Sequence, residues 1–162
     1  MDYTILRHAL YAEIMVGDLD DTLATGLLRR AAGSAACAYI SRDDLGFSAA
    51  KVLADPGHDN RIYTETMEQT HTCSQIAATM SEVFGREIRY EAVPSADWPA
   101  YMTQRWGVPA ELAKSSVGTM RAIENGEFDI TSPDYETITG RKPKTMRQFL
   151  ESVAAIARQK KS

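Results

Sequence analysis

The residues of this chain with reactive or ligating side chains are three histidines, two cysteines and a few acidic clusters. His71 and Cys73 lie two apart beside an expected helix cap, a spacing that implies no nucleophile–base geometry. His58 and His71 have no further ligand at metal-binding spacing. Asp18, Asp20 and Asp21 imitate the start of a calcium loop, but Gly17 precedes the acids and no glutamate closes the twelve-residue pattern. Those carboxylates read instead as the first turn of a helix. Arg42-Asp43-Asp44 admits an active-site ion pair or a helix start. Ser41 as N-cap and Asp44 as the acidic third residue favour the helix start. Cys37 and Cys73 lack C-x-x-C spacing and read as buried thiols of a reducing compartment, with the cytoplasm as the expected location. No catalytic residue and no metal-ligand set is assigned.

The elements that must position any site follow from composition and periodicity. At 162 residues, 44% hydrophobic and 25% charged, the chain is one ordinary globular domain with enough length to bury a core. A net charge of -4 gives no basic face for nucleic acid. The terminal run Arg158-Gln159-Lys160-Lys161 reads as a complement to a helix dipole. No apolar run is long enough to span a bilayer, and the start does not resemble a signal peptide.

Tyr3–Leu6 is apolar and β-prone and predicts a buried strand. His8–Val16 predicts a loop entering a short helix. Leu27-Leu28 and Cys37–Ile40 predict two short strands around the turn pair Gly33-Ser34. A helix opens at Ser41 with Leu45, Ala49, Val52 and Leu53 on one face, and Pro56-Gly57 ends it. Arg61–Thr64 is a strand. Thr72 caps a helix through Phe84 with Ile76, Met80, Val83 and Phe84 as its stripe, and Gly85 stops it. Glu87–Val93 alternates as a strand does. Helices follow from Ser95 to Gly107, from Pro109 to Asn125, from Ser132 and from Thr145. The last has Met146, Phe149, Leu150, Val153 and Ile156 as its buried face. Strands alternate with helices at first and then give way to helices, the pattern of an α/β sheet with a helical appendage. A boundary is expected near residue 70, with 1–70 as the remainder of the sheet and 71–162 as a mostly helical substrate-binding region.

Four stretches carry a family resemblance: Tyr3-Thr4-Ile5-Leu6-Arg7-His8-Ala9-Leu10-Tyr11; Tyr39-Ile40-Ser41-Arg42-Asp43-Asp44-Leu45; Pro56-Gly57-His58-Asp59-Asn60-Arg61-Ile62-Tyr63; and Thr139-Gly140-Arg141-Lys142-Pro143 with Thr145 and Phe149-Leu150. In this order and at this spacing they resemble the NmrA-like branch of the atypical short-chain dehydrogenase/reductases, in particular the NAD(P)H:quinone oxidoreductase type 2 and triphenylmethane reductase group. The resemblance implies the carboxyl-terminal part of a Rossmann-like NAD(P)-binding fold. Family members open with a strand, a Gly-x-x-Gly-x-x-Gly loop and a helix whose N-terminus holds the pyrophosphate. No such glycine run occurs in this chain. Any tyrosine–lysine pair of the wider superfamily would precede Met1.

By position, the resemblance places His8, Ala9 and Leu10 against the nicotinamide end of NAD(P)H. His8 then donates to a carboxamide or is simply a hydrogen-bonded loop histidine. Tyr11 falls where the family begins its substrate wall. Its ring suits a flat quinone or dye, or packs in a core. Trp98, Trp106 and Met120 line the same pocket or serve packing. The implied activity is hydride transfer from NAD(P)H, with NADPH favoured, to a small planar acceptor. The chain alone is expected to bind the cofactor weakly or not at all. The alternative is a non-catalytic dinucleotide-sensing or protein-interaction module. An open sheet edge would be covered by a second copy or a partner chain.

Overall fold

Parallel pairing of short strands dictates this architecture, because parallel neighbours must be joined by long crossovers. The computed structural model describes residues 1–159; Lys160 and Lys161 of the expected cationic run lie outside the described residues. In chain order the elements are β1 (Thr4–His8), β2 (Leu10–Tyr11), a 3-10 turn (Ala12–Met15), α1 (Leu19–Thr25), β3 (Leu27–Arg30), β4 (Ala36–Cys37), β5 (Tyr39–Ile40), α2 (Arg42–Ala54), β6 (Arg61–Glu65), β7 (His71–Thr72), α3 (Cys73–Phe84), β8 (Arg89–Ala92), α4 (Trp98–Trp106), α5 (Ala110–Glu124), α6 (Asp134–Thr139) and α7 (Met146–Gln159). The pairs β1–β6, β2–β5 and β3–β8 are parallel, and β4–β7 is antiparallel. The class is α/β, as expected. None of the helices is long and apolar enough to cross a membrane, among the described residues.

Two compact units interleave along the chain. In place of one boundary after residue 70, the first unit comprises 1–18, 38–70 and 130–162, and the second comprises 19–37 and 71–129.

In the first unit, Ser41 caps α2 by accepting from the Asp44 N–H at 3.2 Å, and its own hydroxyl donates to Asp44 Oδ2 at 2.7 Å. Asp44 is 2% exposed. It also accepts from Tyr135 Oη at 3.0 Å and from the Lys144 N–H at 3.1 Å, so one buried carboxylate ties α2 to α6 and to the approach to α7. The charges of Arg42-Asp43-Asp44 pair outside the triplet, Arg42 with Glu13, Asp43 with Lys144 and Asp44 with Arg141, and the triplet opens α2. Ile40, Leu45 and Tyr135 form the adjoining apolar cluster, with Ala9 packed against it. α7 buries Met146, Phe149, Leu150 and Ala154.

Three expectations are corrected here. Leu53 is 88% exposed and Ile156 is 55% exposed; each lies near the solvated end of its helix, beyond the stretch that packs. The strand at Tyr3–Leu6 runs from Thr4 to His8 and is not buried. Its outward face carries Ile5, opposite Ile62 of β6, at 45% and 54% exposure. The reason is topological: β1 has β6 as its only ladder partner among the described residues, whereas a parallel sheet ordinarily has both faces covered.

In the second unit, α3 opens on a full capping box between Thr72 and Gln75 and closes on Gly85 in the left-handed region. It buries Cys73, Ile76, Ala77 and Met80. Leu27-Leu28 does not pair across Gly33-Ser34. It lies beside β8, in register Leu27↔Arg89 and Leu28↔Tyr90. Gly26 leads into β3 at φ 69°, where a Cβ would stand 3.1 Å from the Glu87 carbonyl oxygen, so a side chain there meets both strain and backbone. α4 and α5 pack on each other. Cys37 and Cys73 are buried thiols.

Tyr90 shows how tightly the second unit is closed. Its hydroxyl donates to the Arg30 carbonyl at 3.0 Å, and burial pushes its phenol up to about 12. Because the folded value lies above the unfolded one, the stability it contributes is complete below about pH 10 and is lost as pH rises towards 12. Alkaline difference spectroscopy is expected to show a late-ionising tyrosine that disappears in Tyr90→Phe. An unchanged titration curve in that variant would contradict the assignment.

Candidate functional site

β1 and β6 run parallel in the register Thr4↔Arg61, Ile5↔Ile62, Leu6↔Tyr63, Arg7↔Thr64 and His8↔Glu65. Their carboxyl ends therefore present His8 and Glu65 side by side, and the carboxyl end of a parallel sheet is where α/β proteins receive ligands. His8 Nε2 is 3.3 Å from Glu65 Oε2. The Glu65 side chain is fully buried and that of His8 is 32% exposed. Burial raises the Glu65 carboxyl above the ordinary glutamate range; the Ser48 hydroxyl and His8 oppose that rise, and Asp134 adds to it. Neither Glu65 carboxylate oxygen has a hydrogen-bond partner, so the contact is a close approach of a buried carboxylate to Nε2, which leaves Nδ1 for another partner.

Beyond His8 the chain turns under tight backbone control. The Ala9 N–H donates to the Glu65 carbonyl at 3.0 Å and the Leu10 N–H to the Ala38 carbonyl at 3.3 Å. Leu10 and Tyr11 then pair with Tyr39 and Ile40. Tyr11 is 41% exposed. Its ring lies 6.3 Å from that of His8, centroid to centroid, and the Arg42 guanidinium stands 5.8 Å from its centroid. Arg42 is held in turn by Glu13, to whose Oε1 its backbone N–H donates at 2.9 Å.

The structure thus brings His8, Ala9, Leu10 and Tyr11 together, with unequal means. The amides of Ala9 and Leu10 are already committed to backbone acceptors, so the polar contact open to a ligand belongs to the His8 ring, and the flat surface belongs to Tyr11. Glu65 is the residue that sequence reasoning missed. A glutamate closing an apolar strand was visible, but its position opposite His8 depends on the parallel register. A cavity of about 270 Å³ also opens past the end of β6, between Thr66, Glu68, Ser132, Tyr135 and Pro143; neither His8 nor Tyr11 lines it.

Trp106 belongs to the second unit and sits in an aromatic knot. Trp98 stacks on Tyr101 at 5.5 Å and meets Trp106 edge-on at 5.2 Å, and Tyr101 meets Trp106 edge-on at 5.4 Å. The Arg30 guanidinium lies 5.5 Å from the Trp106 ring centroid, in cation–π range. The buried Trp106 Nε1 has no hydrogen-bond partner. Trp98 is 4% exposed and supports packing.

Comparison with known proteins points one way. No family model matches the chain. It is 30% identical over 130 residues to Quinone oxidoreductase 2 of Escherichia coli, covering 78% of this chain and 44% of that protein. It is 28% identical over 131 residues to the NAD(P)H azoreductase of Xenophilus azovorans, covering 76% of this chain and 43% of that protein. Among solved structures, the Citrobacter sp. triphenylmethane reductase complexed with NADP(H) superposes with a TM-score of 0.83 at 28% identity, over 94% of this chain and 53% of that one. The chain spans about half the length of the curated relatives it matches. Its Rossmann-like fold and its sequence agree with the NmrA-like resemblance over the half-length of these relatives that the chain spans.

Proposed function

We propose that this chain forms the part of an NAD(P)H-dependent reductase that closes over the nicotinamide and receives a planar acceptor of the quinone or dye class. The observation that carries the reading is the juxtaposition of His8 and Tyr11 at the carboxyl end of β1, in a chain whose relatives include a quinone oxidoreductase and an azoreductase. The residues fit the nicotinamide end of the cofactor. His8 borders the nicotinamide end at the close of β1, and Ala9 and Leu10 hold the turn through their committed amides. They do not fit the pyrophosphate, which calls for a glycine-rich loop at a helix N-terminus. The 162-residue chain on its own therefore binds NADPH weakly or not at all, and NADPH is favoured over NADH. Tyr11 supplies a wall for the acceptor. When bound, the reduced nicotinamide supplies the hydride.

The test is NAD(P)H oxidation with a panel of quinones and cationic dyes. It compares the 162-residue chain with the same chain joined to the nucleotide-binding half of the Escherichia coli relative. Turnover by the joined protein and little by the chain alone is the expected result. A folded joined protein that is inert towards the whole panel would overturn the reading.

One observation favours a second reading. Ile5 and Ile62 form an exposed apolar face on the β1–β6 ribbon, and an interaction module would cover that face with a second copy or a partner chain. Sedimentation of the 162-residue chain is then expected to show self-association that Ile5→Lys with Ile62→Lys reduces. A monomer at all concentrations would remove this reading.

A further inference from the structure

The β1–β6 ribbon ends in two titratable groups that its packing does not require. Glu65 is fully buried, and an aliphatic side chain would fill that place without the cost of desolvating a carboxylate. The groups around it are few. His8 lies at 3.3 Å. Asp134 makes ionisation harder, and Ser48 eases it. Asp134 is itself engaged, accepting from the Thr64 N–H at 2.7 Å. The histidine that Glu65 orients is the site residue with both a free ring nitrogen and solvent contact.

We propose that His8 is the catalytic proton donor to the oxygen of a quinone-type acceptor, and that Glu65 is the positioning residue that holds Nε2 so that Nδ1 faces that oxygen. The proposal rests on the reductase reading above. A quinone that has received a hydride carries both electrons and is still one proton short of the neutral hydroquinone. As the His8 imidazolium gives up that proton, the Nδ1–H bond breaks and an O–H bond forms. The ring is left neutral, with the proton on Nε2 beside Glu65. The exposed side of the ring then takes a proton from water. A carboxylate behind an imidazole both balances the imidazolium charge and fixes the tautomer, and a positioned acid of this kind contributes roughly 10²–10⁴-fold to the rate.

Acceptor chemistry separates this role from a structural one. A cationic triarylmethyl dye takes the hydride on carbon and becomes neutral without any proton, so its reduction bypasses His8.

The first measurement needs no cofactor. In the 162-residue chain with ¹⁵N-labelled histidine, long-range ¹H–¹⁵N spectra are expected to show neutral His8 as the Nε2–H tautomer, and Glu65→Met is expected to lose that preference. An Nδ1–H tautomer, or a preference unmoved by Glu65→Met, would overturn the proposal. The second measurement uses the full chain joined to the nucleotide-binding half of the Escherichia coli relative, with NADPH and either duroquinone or crystal violet. His8→Asn is expected to lower duroquinone turnover about 100-fold more than it lowers crystal violet turnover, the dye serving as the internal reference for any loss of cofactor binding and circular dichroism as the control for folding. A parallel loss on both acceptors would sink the proton-donor role and leave the reductase reading standing. If the unsubstituted joined protein consumes neither acceptor, the reductase reading falls and this proposal falls with it.

Discussion

Asp44→Ala is expected to destabilise the protein by about 3–5 kcal/mol, the cost of removing one member of a buried, hydrogen-bonded charged network. Three donors converge on this carboxylate: the Ser41 hydroxyl, the Tyr135 hydroxyl and the Lys144 N–H. The Arg141 guanidinium stands 3.8 Å away, and its Nε also donates to Tyr135 Oη at 3.2 Å. Tyr135 is fully buried, and burial is the main reason its phenol ionises above the ordinary range. Truncation would orphan all three donors and leave a void beside Leu45. Urea unfolding of the two proteins measures the difference. Asp43→Ala is the control: that side chain is 84% exposed and paired with Lys144 at 3.1 Å, so its loss is expected to cost no more than about 0.5 kcal/mol. If the two substitutions cost the same, Asp44 is not the tie between α2 and α6.

Glu65→Met is expected to act in the opposite direction. Methionine conserves volume, and replacing a buried charge pair by apolar atoms is often stabilising, here by about 1–2 kcal/mol near pH 8. The sign of the pH dependence follows from the raised carboxyl. A group whose folded pKa exceeds its unfolded value contributes stability that is complete below the unfolded pKa, about 4.3, and is lost as pH rises through the folded one. The unsubstituted protein should therefore gain on the variant as the pH falls through the folded pKa, and the gain should be complete below the unfolded value of about 4.3. A variant less stable than its parent at pH 8 would show that the pair is a net structural asset. A variant that is more stable and loses quinone turnover would mark Glu65 as a residue retained at a cost in stability.

Much of the local structure was legible in the residues. Ser41 and Thr72 announced the starts of α2 and α3 because capping is a matter of three or four adjacent residues. Gly85 announced a stop because the left-handed conformation there suits glycine. The acids around Asp20 and Asp21 did sit in the first turn of α1. Pairing was not legible. Leu27-Leu28 beside Gly33-Ser34 looks like one arm of a hairpin, yet its partner strand begins at Arg89. Parallel register is fixed by crossovers dozens of residues long, which leave no signature in adjacent residues. The same blindness hid Glu65, since nothing within the local sequence says that it will face His8. Trp106 illustrates a third limit. Its type suits a substrate wall and a packed knot equally, and the contacts that distinguish the two uses come from Trp98 and Tyr101, eight and five positions earlier, only once α4 is wound.

The interleaving of the two units has a consequence for the order in which a nascent chain can complete itself. Every segment of the second unit has been synthesised once residue 129 is made. The first must wait for α6 and α7, a delay of a few seconds at ordinary elongation rates of 5–20 residues per second. Until then Asp44 has neither Tyr135 nor Lys144, and the strand bearing Glu65 lacks the helix that carries Asp134. Vectorial synthesis thus leaves the putting-together of the β1 and β6 ends to the arrival of α6 and α7, so every segment of the second unit exists while the first is still unfinished.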